Sequence, residues 1–373
     1  MGRLSEPRAA NANEVTVVVG TRPELIKTAP IIRTIRSSAA LELRLVHTGQ
    51  HYDDTLSDTF FETFSLPPPD VHLDIGSGTH GQQMADALIA IERDVEERAP
   101  GIVLAQGDTN AVLSTALSVS KLDPPFGHVE AGIRSFDRTM PEEVNRVVAD
   151  HVSNFLFAPT DIAAANLDAE GITEGVHVTG NTVVDACLAH SEIAAAESDV
   201  LDRVGVEPDA YVAATIHRPR NTDDDDRLRR ILTALDGMAF PVVLPAHPRT
   251  EAVINRIGFE PVESLRLLEP LGYLDFLQLL AQARAVVTDS GGIQEEASIL
   301  EVPCLTVRPN TERPETIEAG VNELVEPERV ADRLGSAFET GPEEMVGAPD
   351  LYGDGTAGER IVEIIEATLA GAR

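Results

Sequence analysis

Short apolar runs alternate with amphipathic stretches along almost the whole chain. Residues 15–19, Val15-Thr-Val-Val-Val19, form a continuous β-branched run, as expected of a strand buried on both faces. Residues 25–35 then follow a helical period. Further strand-like runs occupy residues 43–46, 102–105, 127–129, 155–157 and 176–178, with helical patterns at 84–97 and 111–120. A second series begins at 211–215 and continues at 242–244, 265–268, 285–288 and 304–307. Alternation of this kind predicts parallel sheets with helices on both faces. The two series part near residues 190–209, where Ser191-Glu-Ile-Ala-Ala-Ala-Glu-Ser-Asp199 is small and polar. The expected architecture is therefore α/β: two Rossmann-like parallel-sheet domains, residues 1–190 and 191–356, facing across a cleft at the carboxyl ends of their strands. The pattern at 357–369 is helical, and residues 357–373 are expected to complete the first domain.

Charge changes this picture. The 373 residues carry 29 Lys+Arg against 62 Asp+Glu, a net charge of −33. That sign argues against a general nucleic-acid or anionic-membrane binder, which needs a basic face. No apolar run approaches the roughly 18 residues needed to cross a bilayer. The opening stretch MGRLSEPRAANANE lacks the apolar core of a signal peptide. Two cysteines, Cys187 and Cys304, do not make a disulfide scaffold and point to a reducing compartment. The expectation is a cytoplasmic protein. Its only lysines are Lys27 and Lys121, the other basic residues being arginines. Such a composition is similar to that of halophilic proteins, which work in molar salt. At about 1 M salt the Debye length falls to roughly 3 Å, and self-repulsion is largely removed. The acidity thus describes the solvent, not the substrate.

Chemistry is expected on the loops that follow the strands. The first strand ends in Gly20-Thr-Arg-Pro-Glu-Leu-Ile-Lys27, with Arg22 at the turn and Lys27 about one turn into the helix. It is neither a dinucleotide fingerprint nor a Walker loop. Gly20 and Pro23 alone would explain a turn and a helix start. Retaining one of two lysines here favours a cation that meets phosphate. The strand ending at Ala105 delivers Gln106-Gly-Asp-Thr109, where Asp108 is either a helix cap or a functional acid. Gly127-His-Val-Glu-Ala-Gly132 brings Glu130, and Pro141-Glu-Glu-Val-Asn-Arg146 brings Glu142 and Glu143 in a first helical turn. Crowded carboxylates can divide acid and base roles. In the second series, Thr215-Ile-His-Arg-Pro-Arg-Asn221 places His217 among cations. Thr288-Asp-Ser-Gly-Gly-Ile-Gln-Glu-Glu296 leads a strand into a Gly-Gly helix start suited to phosphate, with Ser290 as an alternative cap and Glu296 one turn along for a ribose. Arg313, in Thr311-Glu-Arg-Pro-Glu315, is a further site cation or a surface residue. The histidines are scattered, the cysteines lie 117 positions apart, and there is no Gly-x-Ser-x-Gly elbow, so neither metal nor covalent serine chemistry is indicated.

These segments, in this order, resemble the non-hydrolysing UDP-N-acetylglucosamine 2-epimerase family over residues 15–355. The resemblance implies a GT-B architecture, a homodimer, a UDP-sugar substrate, and interconversion of UDP-GlcNAc and UDP-ManNAc with no cofactor, neither metal nor nicotinamide. It implies elimination of UDP to a 2-acetamidoglucal and re-addition with reprotonation on the other face. By match of motif, Asp108, Glu130 and Glu142 become the acid/base candidates. Arg22, Lys27 and His217 would hold substrate and diphosphate. Ser290, Gly291, Gly292 and Glu296 would hold diphosphate and ribose, with Phe276 beside the uracil and Arg313 in support. Because the chain is so acidic, its few cations are expected to gather at this site: Arg22, Lys27, Arg313 and, if protonated, His217.

Two departures qualify the resemblance. Arg220 stands where many relatives carry an acid. The segments His47-Thr-Gly-Gln-His-Tyr-Asp53 and Gly76-Ser-Gly-Thr-His-Gly81 resemble a branch that epimerises UDP-2,3-diacetamido-glucuronate, although the retained Arg22-Pro23 and Arg313-Pro314 favour UDP-GlcNAc. Gln50 and His51 match a loop near which some bacterial relatives bind an activating second UDP-GlcNAc, but Tyr52-Asp53-Asp54 differ from it, which leaves allostery open. A GT-B glycosyltransferase and a non-catalytic nucleotide-sugar binding module are the alternative readings.

Overall fold

The computed structural model describes residues 11–49, 61, 64, 66–76, 78–340 and 351–371. Gln50 and His51 lie outside the described residues. The chain divides into two compact units, Met1–Ala186 with Tyr352–Arg373, and Cys187–Leu351.

Among the described residues the first unit holds seven parallel strands, β1 (Asn11–Val19), β2 (Glu42–His47), β3 (Val71–His72), β4 (Pro100–Gln106), β5 (Phe126–Val129), β6 (Phe155–Ala158) and β7 (Val176–Val178). Their order is β3-β2-β1-β4-β5-β6-β7. Between them run α1 (Arg22–Ser37), α2 (His80–Arg98), α3 (Asn110–Val119), α4 (Pro141–Val152) and α5 (Asp161–Ala169). Val15, Val17, Val18 and Val19 are all buried, which is why β1 reads as an unbroken apolar run. Helices α2, α3 and α4 supply Ile91, Val112, Ala116 and Ala149 to a core shared with Val18, Val103 and Ala105 of the sheet. The strand order reverses between β1 and β4, so the turns after these strands flank a topological switch point. In open parallel sheets that is where ligands bind.

Among its described residues the second unit has six parallel strands, β8 (Val212–Thr215), β9 (Val242–Pro245), β10 (Leu265–Leu268), β11 (Ala285–Thr288), β12 (Cys304–Thr306) and β13 (Asn322–Leu324), in the order β10-β9-β8-β11-β12-β13. Helix α6 (Thr182–Glu197) carries the chain from the first unit into the second, and α7 (Val200–Val204) follows it. The small residues that read as a break are largely alanines, which are strong helix formers. The remaining helices are α8 (Pro219–Thr222), α9 (Asp225–Asp236), α10 (Pro248–Ile257), α11 (Tyr273–Ala281), α12 (Gly291–Ile299), α13 (Pro314–Glu318), α14 (Val330–Thr340) and α15 (Ala357–Gly371). Alternate residues of one strand enter different cores. Val212 and Ala214 pack with Leu232 and Ile254, whereas Tyr211 and Ala213 pack with Leu279 and Ala297. That period of two accounts for burial on both faces of the sheet. The switch point here lies between β8 and β11, where His217 and Ser290 emerge.

The last helix, α15, belongs to the first unit and packs on α1. Asp185 accepts from the N–H groups of Ala357 (3.2 Å) and Gly358 (2.9 Å). A Cβ on Gly358 would lie 2.8 Å from Cβ of Pro30, so only glycine allows this approach. Every strand expected from sequence is present, with ends shifted by a few residues. Two more, β3 and β13, were missed. The first has two residues and the second reads Asn-Glu-Leu, so neither carries an apolar run.

Candidate functional site

In the first unit, the turns after β1 and β4 are stitched together. Thr21 caps α1 and Glu24 completes a capping box, with its Oε2 accepting from the Thr21 N–H at 2.8 Å. Thr109 Oγ1 donates to the other carboxylate oxygen of Glu24 at 2.5 Å. Burial pushes the Glu24 carboxyl up despite these donors. A Cβ on Gly20 would lie 2.7 Å from Cβ of Ala111, so the close approach of β1 to α3 requires glycine.

Lys27 projects from the second turn of α1, and its Nζ lies 2.8 Å from Glu130 Oε1. Gln106 Nε2 donates to the same oxygen at 3.1 Å and to Thr182 Oγ1 at 2.8 Å. Gln106 is itself held through Oε1 by the Thr28 hydroxyl at 3.0 Å. Glu130 is buried and adopts a left-handed backbone (φ 67°), an uncommon conformation for a non-glycine residue and one that tends to occur at functional sites. Arg22 is half-buried beside the β1 turn, and burial lowers its guanidinium pKa.

Asp108 precedes the cap of α3. The capping residue is Thr109, whose Oγ1 accepts from the Val112 N–H. The Asp108 carboxylate is therefore left for Arg146 of α4, with which it forms an ion pair. Asn145 Nδ2 donates to the Asp108 carbonyl at 2.8 Å. The two glutamates opening α4 part company. Glu143 is buried and accepts from the N–H groups of Ser135 and Phe136, both at 2.9 Å, and from Arg146 at 3.2 Å. Glu142 is half-buried and, among the described residues, has no hydrogen-bond or ion-pair partner.

In the second unit Asp289, fully buried at the end of β11, organises the loop after β8. It accepts from the N–H groups of His217 (3.0 Å) and Arg218 (2.9 Å) and from Asn221 Nδ2 (3.0 Å). His217 Nδ1 lies 3.3 Å from the same carboxylate. Burial pushes the His217 imidazole down, and Asp289 only partly opposes this, so the neutral form prevails at pH 7. Ser290 stands at the N-cap of α12 without making a side-chain cap bond, which leaves the helix N–H groups uncapped by it. The Tyr273 hydroxyl donates to Glu296 Oε1 at 3.1 Å, and Phe276 packs with Ile293 against the α11–α12 core. Arg313 is buried, its Nε 2.6 Å from Glu295 Oε1. Glu312 lies between Arg308 (2.7 Å) and Arg218 (3.4 Å). Burial would raise its carboxyl pKa, but the guanidinium groups of Arg313, Arg308 and Arg218 outweigh that and bring it to about 2. Arg220 is exposed.

The family model described as UDP-N-acetylglucosamine 2-epimerase matches residues 33–366. The UDP-N-acetylglucosamine 2-epimerase of Methanocaldococcus jannaschii is 43% identical over 94% of this chain and 98% of its own length. The chain belongs to the UDP-N-acetylglucosamine 2-epimerase family. Within that family, the crystal structure of the M. jannaschii enzyme in complex with UDP-GlcNAc and UDP superposes with a TM-score of 0.84 at 42% identity, covering 95% of this chain and 99% of that one. The two parallel-sheet units are thus those of a GT-B-type epimerase. A UDP-2,3-diacetamido-2,3-dideoxy-D-glucuronate 2-epimerase from Pseudomonas aeruginosa is 39% identical over 94% of the chain and 99% of its own length.

Several residues that shape these clusters escaped the sequence reading: Gln106, His128, Asn145, Arg146, Asp150 and Asp289. Asn145 and Arg146 stood within a motif that pointed only to its glutamates. For Arg146, the spacing of Glu143 and Arg146, three residues apart on one helix, was the available signal. Among the described residues, no group of three His, Cys, Asp or Glu side chains is placed to hold a metal ion. Nor, among the described residues, is any helix long and apolar enough to cross a membrane.

Proposed function

We propose that the protein interconverts UDP-N-acetylglucosamine and UDP-N-acetylmannosamine. The observation that carries this reading is the Lys27–Glu130 pair beside the Gly107–Asp108 turn. A Cβ on Gly107 would lie 3.7 Å from Glu130 Oε2, so two carboxylate-bearing turns meet at the first switch point. The hydrogen on carbon 2 of the sugar is unactivated, and no carbonyl acidifies it. A carboxylate among Asp108, Glu130 and Glu142 takes that proton. The C–H electron pair forms the C1–C2 double bond while the C1–O bond breaks, and UDP departs with the bonding electrons. Delivery of a proton to the opposite face of carbon 2, with UDP rejoining carbon 1, gives the epimer. Carbon 2 is neither oxidised nor reduced overall, so the balance needs no external oxidant.

Cations and helix N–H groups stabilise the departing diphosphate. Arg22 and Lys27 supply positive charge in the first unit, and the start of α12 supplies Gly291 and Gly292 N–H groups in the second. Glu296, held by Tyr273, is the ribose acceptor, Phe276 lies beside the uracil, and Arg313 braces α12 through Glu295. His217 acts as a neutral imidazole. On composition and family resemblance we further place the protein in a cytoplasm of molar salt as a homodimer.

The test is proton NMR of UDP-GlcNAc with the purified protein in deuterated molar KCl. The expected result is deuterium at carbon 2 and a UDP-ManNAc product with no acceptor added. Unaltered, unlabelled UDP-GlcNAc would overturn the reading. The similarity to the P. aeruginosa enzyme supports a second substrate, UDP-2,3-diacetamido-2,3-dideoxy-D-glucuronate, and the same assay run on it decides between the two.

A further inference from the structure

His128 lies on β5, fully buried, two residues before Glu130. Both ring nitrogens meet oxygen: Nδ1 is 2.6 Å from Asp150 Oδ1 and Nε2 is 2.7 Å from the Gly107 carbonyl. A carbonyl only accepts, so Nε2 must carry a proton. Asp150 also lies 2.7 Å from Arg134 and accepts from the Gly132 N–H at 3.1 Å, which is the environment of an ionised carboxylate. An ionised carboxylate only accepts as well, so Nδ1 must also carry a proton. A neutral imidazole has one N–H and would leave one of these short contacts facing two lone pairs.

We propose that His128 is a positioning residue: a doubly protonated imidazolium whose two N–H groups clamp the Gly107–Asp108 turn to Asp150 of α4. The Gly107 N–H is already fixed to the Val129 carbonyl at 3.1 Å, so His128 secures the other end of the same residue. Asp108 follows directly, with its carbonyl and carboxylate held by Asn145 and Arg146 of that same helix. The acid/base candidate is thereby fixed through three residues of α4: two directly and the third, Asp150, through His128. The charge on His128 is balanced in place. Asp150 faces it from α4, Arg134 lies behind Asp150, and Glu170, the C-cap of α5, closes the chain on Arg134 at 2.7 Å. Glu130 is the other carboxylate whose field His128 feels. Burial disfavours the imidazolium, but Asp150, the Gly107 carbonyl and Glu130 outweigh it and raise the His128 pKa. The catalytic part of this proposal rests on the epimerase reading; the protonation state does not.

Two measurements test it. In histidine-labelled protein, the nitrogen NMR signals of His128, identified by their loss in His128→Gln, should report both nitrogens protonated at pH 7, where an ordinary histidine is mostly neutral. A neutral tautomer at pH 7 would overturn the proposal. In the epimerisation assay, His128→Gln should lower kcat about 100-fold per folded molecule with KM little changed, as expected when a reacting group is misplaced by about 1 Å. It should also move the acid limb of kcat/KM to higher pH, because a cation facing Glu130 is lost. Unchanged kcat and an unchanged pH profile would overturn it. If His128→Gln does not fold, Asp150→Asn keeps the side-chain shape and should give the same kinetic changes with His128 turning neutral; wild-type kinetics with a charged His128 would count against the clamp. If the wild type does not epimerise UDP-GlcNAc, the epimerase reading fails, while the nitrogen signals still decide the charge state.

Discussion

Lys27 Nζ and Glu130 Oε1 lie 2.8 Å apart, joining the second turn of α1 to the residue that follows β5. Gln106 donates to the same oxygen at 3.1 Å, so one carboxylate oxygen meets two donors. The lysine that sequence assigned to a phosphate thus also has a carboxylate to govern. Replacing Lys27 with Gln removes the positive charge beside Glu130 and favours its protonated form. The acid limb of kcat/KM is expected to move to higher pH. If Lys27 met only diphosphate, UDP affinity would fall and the limb would stay where it is. Glu130→Gln, which keeps the shape, is expected to lower kcat by about 100- to 10,000-fold while UDP binding persists. Calorimetric titration with UDP beside the pH-rate profile separates these outcomes.

Adjacent glycines at the start of α12 make contrasting predictions. A Cβ on Gly291 would lie 2.4 Å from Glu312 Oε1, whereas a Cβ on Gly292 meets nothing within 4 Å. Glu312 is pinned by Arg308 and Arg218 and has little room to yield. Gly291→Ala is expected to destabilise the protein by about 1–3 kcal/mol through overpacking. Gly292→Ala should leave the melting temperature nearly unchanged and weaken UDP binding, because the new methyl group stands where the diphosphate would approach the helix N–H groups. Melting curves with and without UDP check both.

The strands and the motif-bearing turns were legible because their signal is local. Val15 to Val19 reads as a doubly buried strand, and Gly20 to Lys27 reads as a turn and helix start. The partnerships were not legible, because they join residues far apart in the chain. Nothing in the order of residues says that Glu143 serves the loop at Ser135 while the Glu142 side chain has no partner among the described residues, or that Arg146 takes Asp108. His217 illustrates the same limit. Its neighbours Arg218 and Arg220 give it a cationic look, yet burial and the approach of Asp289 from β11 decide its charge. Arg313 shows the same limit: of its two readings, the surface one fails because it is buried, with its Nε bound to Glu295.

Acid should weaken the fold through His47. This residue is fully buried, its Nδ1 accepts from the Gly49 N–H at 3.0 Å, and its ring lies 5.7 Å from that of His72. Burial, with a smaller contribution from His72, pushes its pKa down to about 4 from the ordinary 6.5. Between those values the unfolded chain takes up a proton that the folded chain refuses, so stability is full above pH 6.5 and declines as the pH falls toward about 4. The loss attributable to His47 is about 2 kcal/mol by about pH 5. Urea unfolding at neutral and acid pH should show it, and His47→Gln should remove that part of the pH dependence. Glu312 works at a lower range: its depressed pKa gives stability that disappears only as the pH falls from the ordinary carboxylate value toward about 2.

Salt should act in the opposite sense to the usual expectation for ion-paired proteins. Exposed pairs such as Arg249–Asp223 and Arg256–Asp225 are formed in this structure, and salt weakens each of them. Each such pair is worth about 0–1 kcal/mol, and some contribute nothing measurable. Against them stand 62 acidic residues and 29 basic ones, a net charge of −33 whose like charges repel one another. At about 1 M KCl the Debye length of roughly 3 Å removes that repulsion, while contacts near 3 Å are screened less. The sum favours salt. The melting temperature is expected to rise monotonically from dilute buffer to about 1 M KCl, and to rise with NaCl as well, since screening does not depend on the identity of the cation. A fall in melting temperature over that range would mean that the Arg–carboxylate pairs, not the excess of negative charge, dominate the electrostatics of the fold.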